Sequence, residues 1–307
     1  MSYACEKEKR RFMSVRRKSN WYIYFIAFGI ALAFAIVAII AFNRYLFPED
    51  TKSTGLTPGG EVKDDFKPTA EDGFNIITML SDGATDVPEL FMLIEYNAVE
   101  SRAAFIPLPN GISIASHGRS LQNIYAAQGG SKVVSAVNDI VGVQCDSYMK
   151  FDRAGFIELI TVLGNADYEV LKTISIHDGA EIETLEVGTQ RLTAETMFRL
   201  ALLAEYDEGE SYEFNCTGQM FCDLINQNFR NVTGSLLDKY IDIIMENADT
   251  DLTKEKYEAH KAALLYTVDY GVNPGEYYVP YGEYTDDGGF VISENSIFTI
   301  KQKAGLE

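Results

Sequence analysis

The side chains best suited to acid–base catalysis or metal binding are few and scattered in this sequence. Its three histidines, His117, His177 and His260, share no motif. The chain contains no H-E-x-x-H of zinc proteases, no G-x-S-x-G of serine hydrolases and no Walker-type phosphate loop. Ordinary packing or surface roles explain such isolated histidines best. The sequence therefore indicates none of these three enzyme classes.

Cysteine usage is also sparse. Four cysteines do not make a disulfide scaffold, and no paired C-x-x-C spacing for a metal occurs. Cys216 and Cys222 are close enough in the sequence to form a bridge, and the sequence leaves that pairing open. The fold must therefore rest on a hydrophobic core.

The chain is strongly acidic, with 26 basic and 45 acidic residues and a formal net charge of −19. Basic residues are in surplus within residues 1–20, so the remainder is more acidic still. A surface of that sign repels polyanions, which argues against nucleic acid as a partner. The same charge is typical of a solvated surface that keeps a domain soluble.

Residues 21–42 form an uncharged, almost wholly apolar run that is long enough to cross a bilayer once as a helix. The run is too long for a cleaved signal peptide, and it leads into Asn43 and Arg44 rather than a small-residue cleavage site. The lysines and arginines of residues 1–20 favour the cytoplasmic side. We therefore expect a cytoplasmic basic tail over residues 1–20, a signal anchor in the cell membrane over residues 21–42 and an extracytoplasmic main part.

The part after the anchor divides into a linker and one domain. Residues 43–72 predict a flexible linker, because proline and glycine recur among polar residues with almost no apolar periodicity. Residues 73–307 show no second change of composition and predict a single large domain. Its segments alternate between apolar strands and amphipathic helices, which predicts an α/β fold with a central mixed sheet and helices on both faces. The predicted strands are 74–80, 90–96, 103–108, 147–151, 277–279 and 290–292, and the predicted helices include 193–204, 220–229, 236–246, 254–268 and one from about residue 293.

The order of these segments resembles the LytR-CpsA-Psr family of membrane-anchored bacterial envelope proteins over roughly residues 70–305. The resemblance is spread over many short motifs in the right order. They are NIITMLSDG (75–83) for the family's first strand and G-S-D-x-R turn, FMLI (91–94) for the strand after R-S-D-T, AFIPLP (104–109) for S-I-P-R-D, LQNIY with a following GG (121–130) for the K-I-N-A-A-Y…G-G helix, DRAGF to LG (152–164) for D-x-x-G-F…L-G-G, and LTAE (192–195) for L-x-g-x-q-A-L.

The resemblance implies a function in cell-wall biogenesis. Family members hold a polyprenyl-pyrophosphate-linked glycan in an apolar groove, bind its pyrophosphate with arginines and an Mg²⁺ held by acidic side chains, and transfer the glycan to the cell wall. Planar guanidinium groups suit that task because they supply fixed positive charge and paired hydrogen bonds. A leaving pyrophosphate needs that charge most in the transition state.

This chain lacks the motif arginines. The corresponding positions hold Ala84, Val87 and Asn110, and the helix that delivers R-x-x-R-Q in the family keeps only Gln219. Each charge-assisted hydrogen bond contributes about 1.5–3 kcal/mol, so the loss is large. We therefore expect the glycopolymer transferase reaction to be lost or altered.

A degenerate ligand site remains. Asp82 occupies the place of the family's first aspartate and Glu89 can substitute for the second, so these two are the candidate Mg²⁺ ligands. Two carboxylates on adjacent loops are also typical of solvated turns. The full set of candidate ligand residues is Asp82, Glu89, Asn110, Asn123 and Gln219.

Two functions stay open on the sequence. The first is an envelope protein that binds a lipid-linked glycan or another apolar ligand, with a groove opening near Asp82. The second is a non-catalytic scaffold that presents its acidic surface to other envelope proteins. A run of tyrosines near the C-terminus suits sugar stacking as well as core packing and strand formation. The run comprises Tyr277, Tyr278, Tyr281 and Tyr284.

Overall fold

The computed structural model describes residues 66–112, 120–207, 209–286 and 289–306. The predicted tail and anchor and residues 43–65 of the predicted linker lie outside these ranges. Within the described ranges no helix combines the length and apolarity that a bilayer crossing requires.

The described domain consists of thirteen strands and eight α-helices, apart from two short 3₁₀ turns. The strands are β1 (Phe74–Leu80), β2 (Leu90–Asn97), β3 (Arg102–Leu108), β4 (Ser147–Phe151), β5 (Ala166–Val170), β6 (Ile174–Asp178), β7 (Glu181–Leu185), β8 (Gly188–Leu192), β9 (Ala204–Glu205), β10 (Ala248–Thr250), β11 (Gly275–Tyr277), β12 (Gly282–Tyr284) and β13 (Phe290–Ile292). The helices are α1 (Leu121–Gln128), α2 (Gly130–Val141), α3 (Arg153–Leu163), α4 (Ala194–Leu202), α5 (Glu210–Asn228), α6 (Gly234–Asn247), α7 (Lys254–Tyr270) and α8 (Glu294–Lys303).

Six strands form a central sheet in the order β10-β4-β1-β2-β3-β11. The pairs β1–β4 and β3–β11 are parallel, whereas β1–β2, β2–β3 and β4–β10 are antiparallel. The sheet is therefore mixed, as the sequence predicts. Its inner strands are apolar on both sides because helices cover both faces.

Each face of the sheet contributes to its own core. Ile77 and Phe91 point to the face that α1, α2 and α8 cover. Leu80, Leu90 and Phe151 point to the opposite face, where α3 to α7 pack. The predicted arrangement of helices on both faces is confirmed.

The structure differs from the prediction mainly between residues 166 and 228. Four strands, β5 to β8, follow α3 as small antiparallel pairs beside the central sheet. The helix predicted over 220–229 begins ten residues earlier, as α5. Cys216 and Cys222 both lie on α5, and none of the cysteines in the described part of the chain forms a disulfide.

A carboxylic acid lies in the middle of the sheet. Glu95 stands between Asn75 on β1 and Ala104 on β3, and it is completely buried. Neither of its carboxylate oxygens has a hydrogen-bond partner among the described residues. Burial raises the pKa of Glu95 to about 8, although the nearby charge of Lys303 opposes the rise. Glu95 is therefore largely protonated at neutral pH.

Candidate functional site

The two predicted metal ligands lie on the loop between β1 and β2. Asp82 follows the end of β1, and its Oδ1 accepts a hydrogen bond from the backbone N–H of Ala84 at 2.7 Å. The backbone N–H of Glu89 donates to the carbonyl of Leu80 at 2.8 Å, which closes the loop. Burial raises the pKa of Glu89, and the negative charge of Asp82 raises it further. The two carboxylates therefore repel each other.

A bound cation would relieve that repulsion. The described ranges contain no group of three or more histidine, cysteine, aspartate or glutamate side chains placed to hold a metal. Mg²⁺ needs less than such a cage, because proteins usually bind it with one or two carboxylates while water and substrate phosphates complete the shell. Asp82 and Glu89 stay the predicted ligands for such a site.

The other three predicted residues lie on separate elements. Asn110 is in the turn after β3, and Asn123 is in the first turn of α1, where its backbone N–H donates to Ser120. Gln219 is on α5, and its side chain contacts that of Asp223 on the same helix. Within the described residues no hydrogen bond joins these three to one another or to the two carboxylates.

The sequence analysis missed a buried lysine beside the same loop. Lys150 lies on β4, with its side chain only 7% exposed. Its Nζ contacts the carboxylate of Asp86 and donates to the Asp86 carbonyl at 3.1 Å. The carboxylate partner is 89% exposed, so solvent reaches the pair from one side. A lysine between Met149 and Phe151 in a predicted strand was the sequence signal for this position.

Two tyrosines and an aspartate surround Lys150. Its Nζ lies 5.5 Å from the ring centroid of Tyr125. The hydroxyl groups of Tyr125 and Tyr148 donate to the two carboxylate oxygens of Asp249, at 3.1 and 3.2 Å. Burial, reinforced by the charge of Asp249, raises the pKa of Tyr148 to about 12. These hydroxyls therefore act as donors at neutral pH.

An apolar cavity of about 310 Å³ lies on the face covered by α3 to α7. It is enclosed by the first half of β1, by β4 and by α6 and α7. The apolar side chains that line it are Phe74, Ile76, Met149, Ile241, Ile244, Leu252 and Leu264, together with the ring of Tyr257.

The polar lining of this cavity includes two basic side chains. Nζ of Lys256 donates to the carbonyl of Asp146 and to Oγ of Ser147, both at 2.8 Å. The ring nitrogen Nδ1 of His260 lies 2.9 Å from the carbonyl oxygen of Asp72. Both basic groups belong to α7. Lys256 contacts the start of β4, and His260 contacts the residue two positions before β1.

The apolar cavity lies away from the place where the sequence analysis expected a groove. Ile76 lines it near the start of β1, whereas Asp82 follows the end of that strand. Six residues of extended chain span about 20 Å. None of the five predicted site residues lines the cavity.

Comparison with known proteins gives one consistent match. The model of the LytR_cpsA_psr family matches residues 59–267. The polyisoprenyl-teichoic acid–peptidoglycan teichoic acid transferase TagU of Halalkalibacterium halodurans is 22% identical over 248 residues, which cover 74% of this chain and 79% of that protein.

Solved structures support the same fold. A protein from Eubacterium siraeum, described as a transcription regulator, has a TM-score of 0.73 and 25% identity, and the match covers 79% of this chain and 95% of that one. A structure of TagT bound to LI-WTA has a TM-score of 0.57 and 15% identity, covering 80% of this chain and 96% of the other.

Proposed function

The chain belongs to the LytR-CpsA-Psr family, and from that premise we propose that it is a membrane-anchored envelope protein that binds a lipid-linked glycan by its polyprenyl chain. Relatives of this chain include a teichoic acid transferase. The proposal places the domain outside the cytoplasmic membrane and gives it a role in wall-polymer attachment. In this chain the transfer of the glycan to the wall is lost or altered.

The observation that carries the proposal is the apolar cavity of about 310 Å³. Such volumes are typical of small-molecule sites. Each CH₂ group that leaves water for an apolar surrounding contributes about 0.8 kcal/mol, so a branched hydrocarbon chain gains affinity from every unit that enters. An uncharged polyprenyl segment fits this lining, whereas a charged ligand would lose its hydration there.

The cavity lies beside the start of β1. The described chain enters the sheet at Phe74, which is itself a lining residue. The polar head of the bound lipid must stay in water. Lys256 is the lysine of the lining, and its Nζ would exchange one of its present acceptors, the carbonyls of Asp146 and Asp251 and Oγ of Ser147, for the phosphate.

The loop between β1 and β2 accounts for the proposed change in activity. Asp82 and Glu89 would hold Mg²⁺, which supplies positive charge to a pyrophosphate when bound. They lie about 20 Å of extended chain from the part of β1 that lines the cavity, so this loop and Lys256 do not bind the same phosphate. The same loop carries Ala84 and Val87 where the family has arginines. Lys150 is a compact ammonium group that already contacts Asp86, so it does not replace several guanidinium forks. Binding is therefore retained and transition-state stabilisation is reduced.

A melting experiment tests the binding. The full-length chain in detergent is heated with and without a long-chain polyprenyl phosphate. Ligand at one hundred times its dissociation constant stabilises a protein by about 2.7 kcal/mol, which corresponds to about 5–10 °C for a domain of this size. Ile241→Trp fills the cavity and should abolish the shift. Ile297→Trp changes a half-buried isoleucine of α8 outside the cavity and should leave the shift intact.

The head group has its own test. Lys256→Met should reduce the shift given by the polyprenyl phosphate and leave that of the uncharged polyprenol unchanged. If neither lipid shifts the melting temperature of the parent chain, the proposal fails and the scaffold function becomes the better explanation.

A further inference from the structure

A second cavity, of about 220 Å³, lies at the other end of the sheet and has a different lining. Its walls come from the turn after β3, the start of α5 and the segment around β12. The residues on which the argument depends are Pro109, Glu210, Ser211, Phe214, Tyr281 and Tyr284. The cavity thus combines aromatic rings with a carboxylate and a hydroxyl group.

Two tyrosines of this lining are open to solvent. Tyr281 is 71% exposed and Tyr284 is 60% exposed. Core packing therefore does not account for either side chain. The Tyr284 ring meets Phe290 edge to face, with ring centroids 5.1 Å apart, and this contact fixes its orientation. The exposed rings are available to a ligand without a large rearrangement.

Hydrogen bonds hold the tyrosine segment in place. The backbone N–H of Tyr281 donates to Oγ of the fully buried Ser296 at 2.8 Å, and that hydroxyl donates back to the Tyr281 carbonyl at 3.0 Å. The β12–β13 hairpin is tied to the turn after β3, because the backbone N–H of Phe290 donates to the carbonyl of Gly111 at 2.7 Å. This turn also carries Asn110, one of the predicted ligand residues. The cavity is therefore pre-formed and adjoins the turn that carries Asn110.

The charges of the cavity restrict what it can bind. Glu210 lies in the lining, and Glu213 follows one turn later on α5. Burial raises the pKa of both carboxyl groups, and the charge of Glu210 adds to the rise at Glu213. An anionic ligand would be repelled here. A ligand with several hydroxyl groups would instead donate to the carboxylate.

We infer that this cavity binds one neutral sugar ring of a glycan chain, with the ring on the faces of Tyr281 and Tyr284 and its hydroxyl groups on Glu210 and Ser211. The C–H groups of a sugar suit the negative face of an aromatic ring. A volume of about 220 Å³ is below the roughly 300–1,000 Å³ that encloses a drug-sized ligand, so a single ring enters and the rest of the chain stays outside. The inference rests on the proposed function only in taking a glycan as the ligand.

The sugar has two possible sources, the lipid-linked glycan or the wall glycan that accepts it. Two probes separate them: a soluble tetramer of β-1,4-linked N-acetylglucosamine, and N-acetylglucosamine on polyprenyl pyrophosphate. Binding of each to the full-length chain is measured by calorimetric titration, in a detergent without a sugar head group. The soluble tetramer contains no lipid, so its result does not depend on the apolar cavity.

Tyr281→Ala should weaken binding of at least one probe by about two- to tenfold, the range that one aromatic contact provides. Tyr281→Phe should bind nearly as the parent does, since the ring is kept. Tyr270→Ala, which removes a tyrosine that is 66% exposed on α7, is the matched control and should have no effect. Melting temperatures of all variants establish that they are folded.

The pattern of losses decides the source. A loss confined to the soluble tetramer assigns the cavity to the acceptor glycan, and a loss with the lipid-linked probe assigns it to the donor. The inference is overturned if Tyr281→Ala and Glu210→Gln are folded and bind both probes as the parent does. It is also overturned if Tyr270→Ala causes the same loss as Tyr281→Ala.

Discussion

The buried carboxyl group of Glu95 predicts a specific dependence of stability on pH. Its pKa is about 8 in the folded protein, compared with 4.5 for an unperturbed glutamate. Between these two pH values the folded state holds a proton that the unfolded chain has released. The free energy of unfolding therefore falls as the pH rises through this window. The stabilisation that protonated Glu95 contributes is fully present below pH 4.5 and is lost as the pH rises toward 8.

The size of the effect follows from the two pKa values. One pKa unit corresponds to about 1.4 kcal/mol, so a window of 3.5 units corresponds to about 5 kcal/mol. Glu95→Gln keeps the shape of the side chain but cannot ionise. Near pH 4.5 the free energies of unfolding of variant and parent should differ only by a constant offset. By pH 8 the free energy of unfolding of the variant should have risen by up to about 5 kcal/mol relative to that of the parent.

Urea unfolding at a series of pH values, for the parent and the variant, measures this difference directly. Glu181→Gln, at an exposed position on β7, is the control for the exchange of glutamate for glutamine. A difference between parent and Glu95→Gln that does not change with pH would refute the reasoning, because Glu95 would then titrate alike in the folded and unfolded chain.

Two further predictions concern the neighbourhood of Lys150. Lys150→Met should change the free energy of unfolding by less than about 1 kcal/mol, because a buried charge is replaced by an apolar side chain and the exposed Asp86 returns to water. Asp86→Ala should lower the free energy of unfolding by about 1–3 kcal/mol, because the buried ammonium group loses its carboxylate partner. Equal effects of Lys150→Met and Asp86→Ala in urea unfolding would contradict this account. Gly130→Ala should destabilise the fold by about 1–3 kcal/mol, since the new Cβ would overlap the Tyr148 ring. The exposed Ser131→Ala is its control, and matching melting temperatures for the two alanine variants would show that the ring moves freely.

The central sheet could be predicted from the sequence where a strand is buried on both faces. The bounds of β1 and β4 in this sheet coincide with the predicted 74–80 and 147–151, because turn-forming residues border each run. The bounds of β13, in the separate β12–β13 hairpin, coincide with the predicted 290–292. The strands β5 to β8 have exposed positions that lower their apolar content. In β5, Ala166, Tyr168 and Val170 alternate with polar residues, and this pattern could have predicted a half-buried strand.

The start of α5 was missed because tertiary contacts, more than its own sequence, hold it in place. This stretch is rich in polar residues and contains Gly218, which weakens an isolated helix. In the structure the glycine lets α5 approach the Tyr277 ring closely, and Phe221 stacks on Phe105 of the sheet at 6.0 Å. Such long-range packing is not visible in a local pattern.

The candidate site could be predicted in part. The loop that unites Asp82 and Glu89 follows from the order of β1 and β2. The two cavities depend on the positions at which α5, α6, α7 and the β12–β13 hairpin pack against the sheet. No sequence motif predicts those positions. The tyrosine run was visible in the sequence, but its exposure was not.

The central claim is that the cavity beside β1 holds the polyprenyl chain of a lipid-linked glycan. Photocrosslinking tests it most directly, with a polyprenyl phosphate that carries a photoreactive group at the end of its hydrocarbon chain. The account predicts adducts on the peptides that contain Met149, Ile241, Ile244 and Leu252, and their loss in Ile241→Trp. Adducts that avoid these peptides, or that persist unchanged in Ile241→Trp, would contradict it.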